Sequence, residues 1–272
     1  EQAKRQEEQW KKKGISFDFL WEEAYPKRLK EISDPPLVLY RIGKLPEPEK
    51  KMAAIVGARA CSSYGKEMAE YFARGLAKEG VGIVSGMARG ADGIAQRAAL
   101  SAGGYSVAVL GCGVDICYPE ENRPLYEKLK ETGCILSEYP PGTLPHSRLF
   151  PPRNRIISAL SDLVLVIEAR EKSGTLITVD MALEQGKDVA CLTLGDPTIY
   201  STYIYIHRLV KAKGYETEIV NGIPSFCAVS AKLGDSLVDR SEQLHVIPST
   251  YDIEDGLKLQ LLLKFGRLRL QR

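Results

Sequence analysis

Several short stretches carry residues suited to gripping a chain of phosphates. GARACSSYGKE (57–67) sets Gly57 at a sharp turn, then Arg59, then Ser62 and Ser63 as candidate helix caps. A helix start with unpaired N–H groups attracts an anion, and an Arg beside it suits a phosphate. Taken alone, this loop fits a serine-capped helix with an incidental Arg as well. SGMARGADGIAQ (85–96) opens with Gly86, Gly90 and Gly93, spaced four and three apart. That is not the GxGxxG spacing of an ordinary dinucleotide site. GCGVDICYPEENRPL (111–125) offers Gly111 and Gly113 for close approach of a ligand, with Arg123 further on. FPPRNRIISALSD (150–162) places Arg153, Asn154 and Arg155 at a helix start, and EAREKSGTLITVD (168–180) does the same with Lys172, Ser173, Gly174 and Thr175. The sum is Gly, Ser and Arg or Lys converging on one rim, which is chemistry for holding a phosphate backbone. Catalytic groupings are not evident. His146, His207 and His245 stand in separate segments with no acidic or Cys neighbour at ligand spacing, and read as structural. Asp92 and Glu138 read as caps.

The loops need a scaffold that brings them together, and the hydrophobic pattern supplies one. From residue 53, short apolar runs alternate with longer amphipathic segments. The runs are 53–56, 82–84, 105–110, 134–136, 163–167, 189–194, 218–220 and 244–247. Between the first two, Met68, Phe72 and Leu76 fall at helical spacing and Gly80 stands where a helix stops. Such alternation predicts an α/β fold, a Rossmann-like three-layer sandwich around a mostly parallel sheet. In that architecture ligands sit beyond the carboxyl ends of strands, where these loops fall. Ahead of it, residues 1–13 carry five basic and three acidic side chains and suit a solvated helix, and 1–47 as a whole reads as a helical extension and linker.

Composition narrows the classes. The chain has 272 residues, 37 Lys plus Arg against 35 Asp plus Glu, and 44% hydrophobic residues, which fits a folded core and excludes a disordered or supercharged protein. No run approaches the apolar length of a membrane span and the opening EQAKRQEEQW is charged, so the expectation is a cytoplasmic protein without membrane contact. The six cysteines show no CxxC pair and read as reduced core residues.

The motifs YPKRLKEISDPPLVLY, VGARACSSYG, SGMARGADGIAQ, GCGVDICYPEEN, SEYPPGTLPHSRLFPPRNRIISALSD and EAREKSGTLIT stand in the order found in the DNA-processing protein A (DprA/Smf) family. Residues 25–189 closely resemble its Rossmann-like domain. That resemblance implies single-stranded DNA binding, a role in DNA transformation, loading of RecA recombinase, and pairing into a homodimer. Carried over by motif, Arg59, Gly86, Gly90, Arg153, Asn154, Lys172, Ser173 and Gly174 would contact DNA, with Arg123 a weaker candidate. Aromatic stacking platforms are not evident near these loops. Nucleotide phosphoribohydrolases of similar fold carry an acid–base Glu in a PGGxGTxxE loop. Here KSGTLIT puts Thr178 at that place, and Thr cannot ionise as a carboxylate does.

Past GKDVA the pattern changes. TLGDPTIYSTY (193–203) and GIPSFCA (222–228) resemble the tetrapyrrole methylases, most of all precorrin-2 methyltransferase of cobalamin biosynthesis. The matching positions Asp196, Pro197, Thr198, Ser201, Gly222 and Ser225 would help bind S-adenosylmethionine. The glycine-rich opening loop and the second domain of that family have no counterpart, so no catalysis is expected and no cofactor is required. The expectation is therefore a chimera, composite of two families, whose segment 48–189 is one Rossmann half and whose segment 190–256 completes the same sheet. Ile199, Tyr203 and Ile206 recur at helical intervals as a core stripe. Residues 257–272, basic and leucine-rich, read as an edge strand or remainder.

Overall fold

A computed structural model describes residues 2–169, 173–199, 201, 203–241 and 244. The central strand β3 (Met52–Gly57) is apolar along its length because both faces are covered, the signature of a parallel strand inside two helical layers. Around it lie β4 (Gly82–Ser85), β5 (Ser106–Val109), β6 (Cys134–Ser137), β7 (Leu163–Ile167) and β8 (Asp188–Cys191), all parallel. These six coincide with the first six apolar runs. The connecting helices are α3 (Ser63–Lys78), α4 (Ala91–Ser101), α5 (Arg123–Thr132), α6 (Phe150–Ala159) and α7 (Gly174–Glu184). Helix α3 begins where Ser62 Oγ accepts from the Gly65 amide at 3.0 Å.

The leading residues do more than extend and link. After α1 (Gln2–Lys12) they form β1 (Ile15–Phe19), a short α2 (Lys27–Lys30) and β2 (Val38–Gly43), and both strands join the sheet antiparallel at one edge. The order is β1-β2-β6-β5-β4-β3-β7-β8. Short strands of this kind are settled by the partner waiting at the sheet edge, which local sequence does not display. Tyr25 anchors the connection, buried with its hydroxyl donating to the Pro36 carbonyl at 2.7 Å.

The chain divides into two compact units, 1–192 and 193–272. In the second, α8 (Tyr203–Ala212) and α9 (Ser225–Leu233) contain no buried residue, so the stripe of Ile199, Tyr203 and Ile206 is not a core. The run 218–220 is not a strand. Val220 is 79% exposed, and with charged Glu216 and Glu218 beside it the segment has no apolar face to pair into a sheet. Among the described residues the sheet ends at Cys191, so the expected completion of the sheet by 190–256 goes no further than that strand. Of the run 244–247 only Leu244 is described, and 257–272 lie outside the described residues.

Candidate functional site

Strand order reverses around β3, whose neighbours are β4 on one side and β7 on the other. Connections leaving β3 and β7 part at this point and open a crevice at the carboxyl ends, the place where doubly wound sheets bind ligands. A cleft of about 480 Å³ occupies it. Its walls come from 57–60 after β3, from the start of α6 with Phe150, Arg153 and Asn154, and from the start of α7 with Ser173, Gly174, Thr175 and Thr178.

Arg153 is the centre of the cleft. It is only 5% exposed, and its Nη1 donates to the Gly86 carbonyl at 3.0 Å and to that of Val109. Its Nε is buried without a partner. Asp92, also in the cleft wall and 8% exposed, accepts from the Gly86 amide at 3.1 Å. Burial pushes the Asp92 carboxyl up, and the nearby Arg153 opposes that shift. Burial likewise pushes the Arg153 guanidinium down, with Asp92 opposing. Each charge thus makes the other tolerable in a poorly hydrated place. Gly86 supports this pair and does not itself line the cleft. A Cβ there would fall 2.4 Å from Arg153 Nη1, so the position needs a residue without a side chain.

The remaining candidates separate. Arg59 is exposed at the mouth, with its guanidinium 5.8 Å from the Phe150 ring centroid. Asn154 Nδ2 donates to the Gly174 carbonyl at 3.4 Å. Ser173 stands at the cap position of α7 with its Oγ buried and unpartnered, and Gly174 follows it, exposed. Gly90 caps α4 at φ +73° and lies outside the cleft, close against the backbone of Ala58 and Arg59. Arg123 is elsewhere, tied to Glu120 at 2.6 Å and 3.9 Å from Glu127, so its charge is spent locally. Arg155 points to Glu138 in a two-pronged pair at 2.7 and 2.8 Å, which makes Glu138 an ion-pair partner in place of a cap. Lys172 lies outside the described residues.

Two features were not legible beforehand. The first is aromatic: Phe150 lines the cleft and stacks on Tyr118 at 5.6 Å and 20°, which overturns the expectation of no stacking platform. The FPPRNR motif names Phe150, but Tyr118 comes from another loop. The second is Glu168, which leaves β7 at φ +52° and accepts from the Ser62 amide at 2.9 Å and from the Ser62 hydroxyl. The start of α3, expected to attract a phosphate, already holds a carboxylate of the protein itself.

In the second unit, the two methylase-like loops meet. Asp196, 7% exposed, accepts from the Thr198 amide at 2.8 Å and hydroxyl, from Asn221 Nδ2 at 3.3 Å and from the Gly222 amide at 3.1 Å. Those bonds hold its carboxyl below the usual carboxylate range. Pro197 is buried beside it, Ser201 Oγ accepts from the Tyr203 amide at the start of α8, and Ser225 begins α9.

With this geometry in place, comparison with known proteins is decisive for kinship. The family described as DNA recombination-mediator protein A matches residues 16–210. The chain belongs to that family. The recombination-mediator match runs past the seam suggested at 189/190. The chain is 44% identical over 174 residues to the DNA processing protein DprA of Streptococcus pneumoniae, covering 64% of this chain and 61% of that protein, so it spans less than two thirds of that relative's length. The X-ray structure of DprA from S. pneumoniae superposes with TM-score 0.68 at 34% identity, over 83% of this chain and 77% of that one. DprA from Helicobacter pylori, whose structure is described for its single-stranded DNA binding mode, gives 0.60 at 31% identity over 73% and 96%. Over 76 residues, 28% of this chain and 33% of that protein, the chain is 43% identical to a probable cobalt-precorrin-2 C(20)-methyltransferase of Methanocaldococcus jannaschii. Among the described residues no helix is long and apolar enough to cross a membrane.

Proposed function

We propose that the cleft between β3 and β7 holds single-stranded DNA by its phosphates and performs no catalysis. The observation that carries this reading is a pair of buried hydrogen-bond donors left unmade, Arg153 Nε and the Ser173 hydroxyl, in the wall of one cleft. A buried polar group without a partner costs about 1–3 kcal/mol, and a phosphate oxygen would supply the missing acceptor. The start of α7, which has no side-chain cap, and the exposed Arg59 at the mouth add further groups that favour an anion. The single-stranded DNA binding mode described for the H. pylori relative points the same way. Fluorescence anisotropy with oligothymidylate tests it. Binding at low salt with a log–log salt slope near −3, from about 0.7 per phosphate over about four phosphates, is expected, and absence of binding overturns the reading. On the same footing we assign Arg59, Arg153, Asn154, Ser173 and Gly174 to contact, with Gly86 and Gly90 as supports, and we add Lys172 from its motif alone. Transformation and RecA loading are the roles this binding would serve, and co-purification of RecA with the DNA-bound protein checks the latter.

We further propose that the chain is a fusion in which a methylase segment follows the recombination-mediator domain, on the strength of the 76-residue likeness. Asp196 bridging 196–198 to 221–222 supports a methylase remnant in the second unit, one that keeps the pairing of the two loops without the S-adenosylmethionine binding. Its carboxylate is already satisfied by protein donors, so we expect calorimetry to detect no binding of S-adenosylhomocysteine.

A further inference from the structure

We propose that Tyr118 is a base-stacking residue, the ring on which a nucleobase rests when its strand is held in the cleft, an inference that depends on the phosphate-binding reading above. Phosphate contacts alone would leave the bases in water. The cleft mouth is arranged otherwise. Phe150 stands with the Arg59 guanidinium 5.8 Å and the Arg153 guanidinium 6.0 Å from its centroid, and with the Tyr118 ring stacked on it at 5.6 Å. Charge and aromatic surface therefore form one continuous row from the buried cation outward.

Packing explains why the row is held in place. Gly111 makes room for Phe150, since a Cβ at 111 would lie 2.6 Å from the ring. Phe150 is thereby pinned, and Tyr118 is pinned to Phe150. Yet Tyr118 itself stays 45% exposed, and its hydroxyl makes no hydrogen bond among the described residues. A tyrosine recruited only for packing would bury its ring and pair its hydroxyl. A ring left open to solvent and fixed by stacking on Phe150, which itself lines the cleft between two guanidinium groups, matches what sequence-tolerant binders of single strands present to bases. Cations beside the stack also favour the π faces.

The test compares wild type, Tyr118→Ala and Tyr118→Trp for binding to oligothymidylate and to an abasic oligomer of the same length and phosphate number. Stacking on an aromatic contributes about 1–3 kcal/mol per base, so Tyr118→Ala is expected to weaken oligothymidylate binding roughly 5- to 150-fold. Abasic binding should stay unchanged, and Tyr118→Trp should restore the difference. If Tyr118→Ala weakens both oligomers equally, or neither, the stacking role is overturned while phosphate binding stands. If wild type binds neither oligomer, both proposals fall together.

Discussion

The cleft in the first unit and the paired loops in the second use buried polar groups in opposite ways. Around Asp196 every oxygen finds a donor within the protein, four bonds from Thr198, Asn221 and Gly222 closing on one carboxylate. Around Arg153 the accounting is left open, with Nε and the Ser173 hydroxyl unpartnered. Saturation marks a group whose work is holding loops together. At Arg153 and Ser173 the unmade bonds fall in the wall of a cleft, where an incoming acceptor can reach them. In the proposed reading, this contrast separates an aspartate that holds two loops together from an arginine that contacts DNA.

The contrast can be broken in several ways. Arg153→Ala has the largest expected effect. It strands Asp92 in the wall of the first unit, so urea melts should show a loss of about 3–5 kcal/mol together with loss of oligothymidylate binding. Retained binding would sink the central role of Arg153. Gly86→Ala comes next, since its methyl group lands on Arg153 Nη1, and about 1–3 kcal/mol should be lost as the guanidinium is displaced. Ser173→Ala sharpens the comparison most cleanly. Its hydroxyl has no partner to lose, so the melt should be unchanged while affinity falls by roughly tenfold, the scale of one hydrogen bond to a charged group. A stability loss with unchanged affinity would place Ser173 with the structural groups instead.

The smallest effect is the response to acid, and its sign differs between the units. Asp196 has a depressed folded-state pKa, so its contribution is present above the unfolded value and is lost as pH falls through the folded one. Asp92 has a raised folded-state pKa. As pH falls through that value the folded state takes up a proton first, so this group's contribution becomes more favourable on acidification. Residue-resolved hydrogen exchange carried below the ordinary carboxylate range, under about pH 4, should show amides around Gly222 losing protection before those around Gly86. The reverse order would contradict the assignment.

Much of the scaffold was legible in the sequence because parallel strands buried on both faces read as apolar runs. Runs 53–56 and 163–167 became β3 and β7 with little change. The antiparallel β1 was not legible, since ISFDF gains its meaning only from pairing with Val38–Ile42. Site residues followed the same division. Arg153, Asn154 and Ser173 stand where their motifs put them because each opens a helix whose start is encoded locally. Arg123 and Arg155 turn to Glu120 and Glu138, and sequence does not show which carboxylate a long side chain meets. Tyr118 was missed because its partner Phe150 arrives from a distant loop.

One consequence follows from Glu168. By lodging its own acid against Ser62, the protein satisfies the start of α3 from within, whereas the Ser173 hydroxyl at the start of α7 has no such internal partner. In the proposed reading, a chain of repeating charges is therefore received at the start of α7 and turned away at the start of α3.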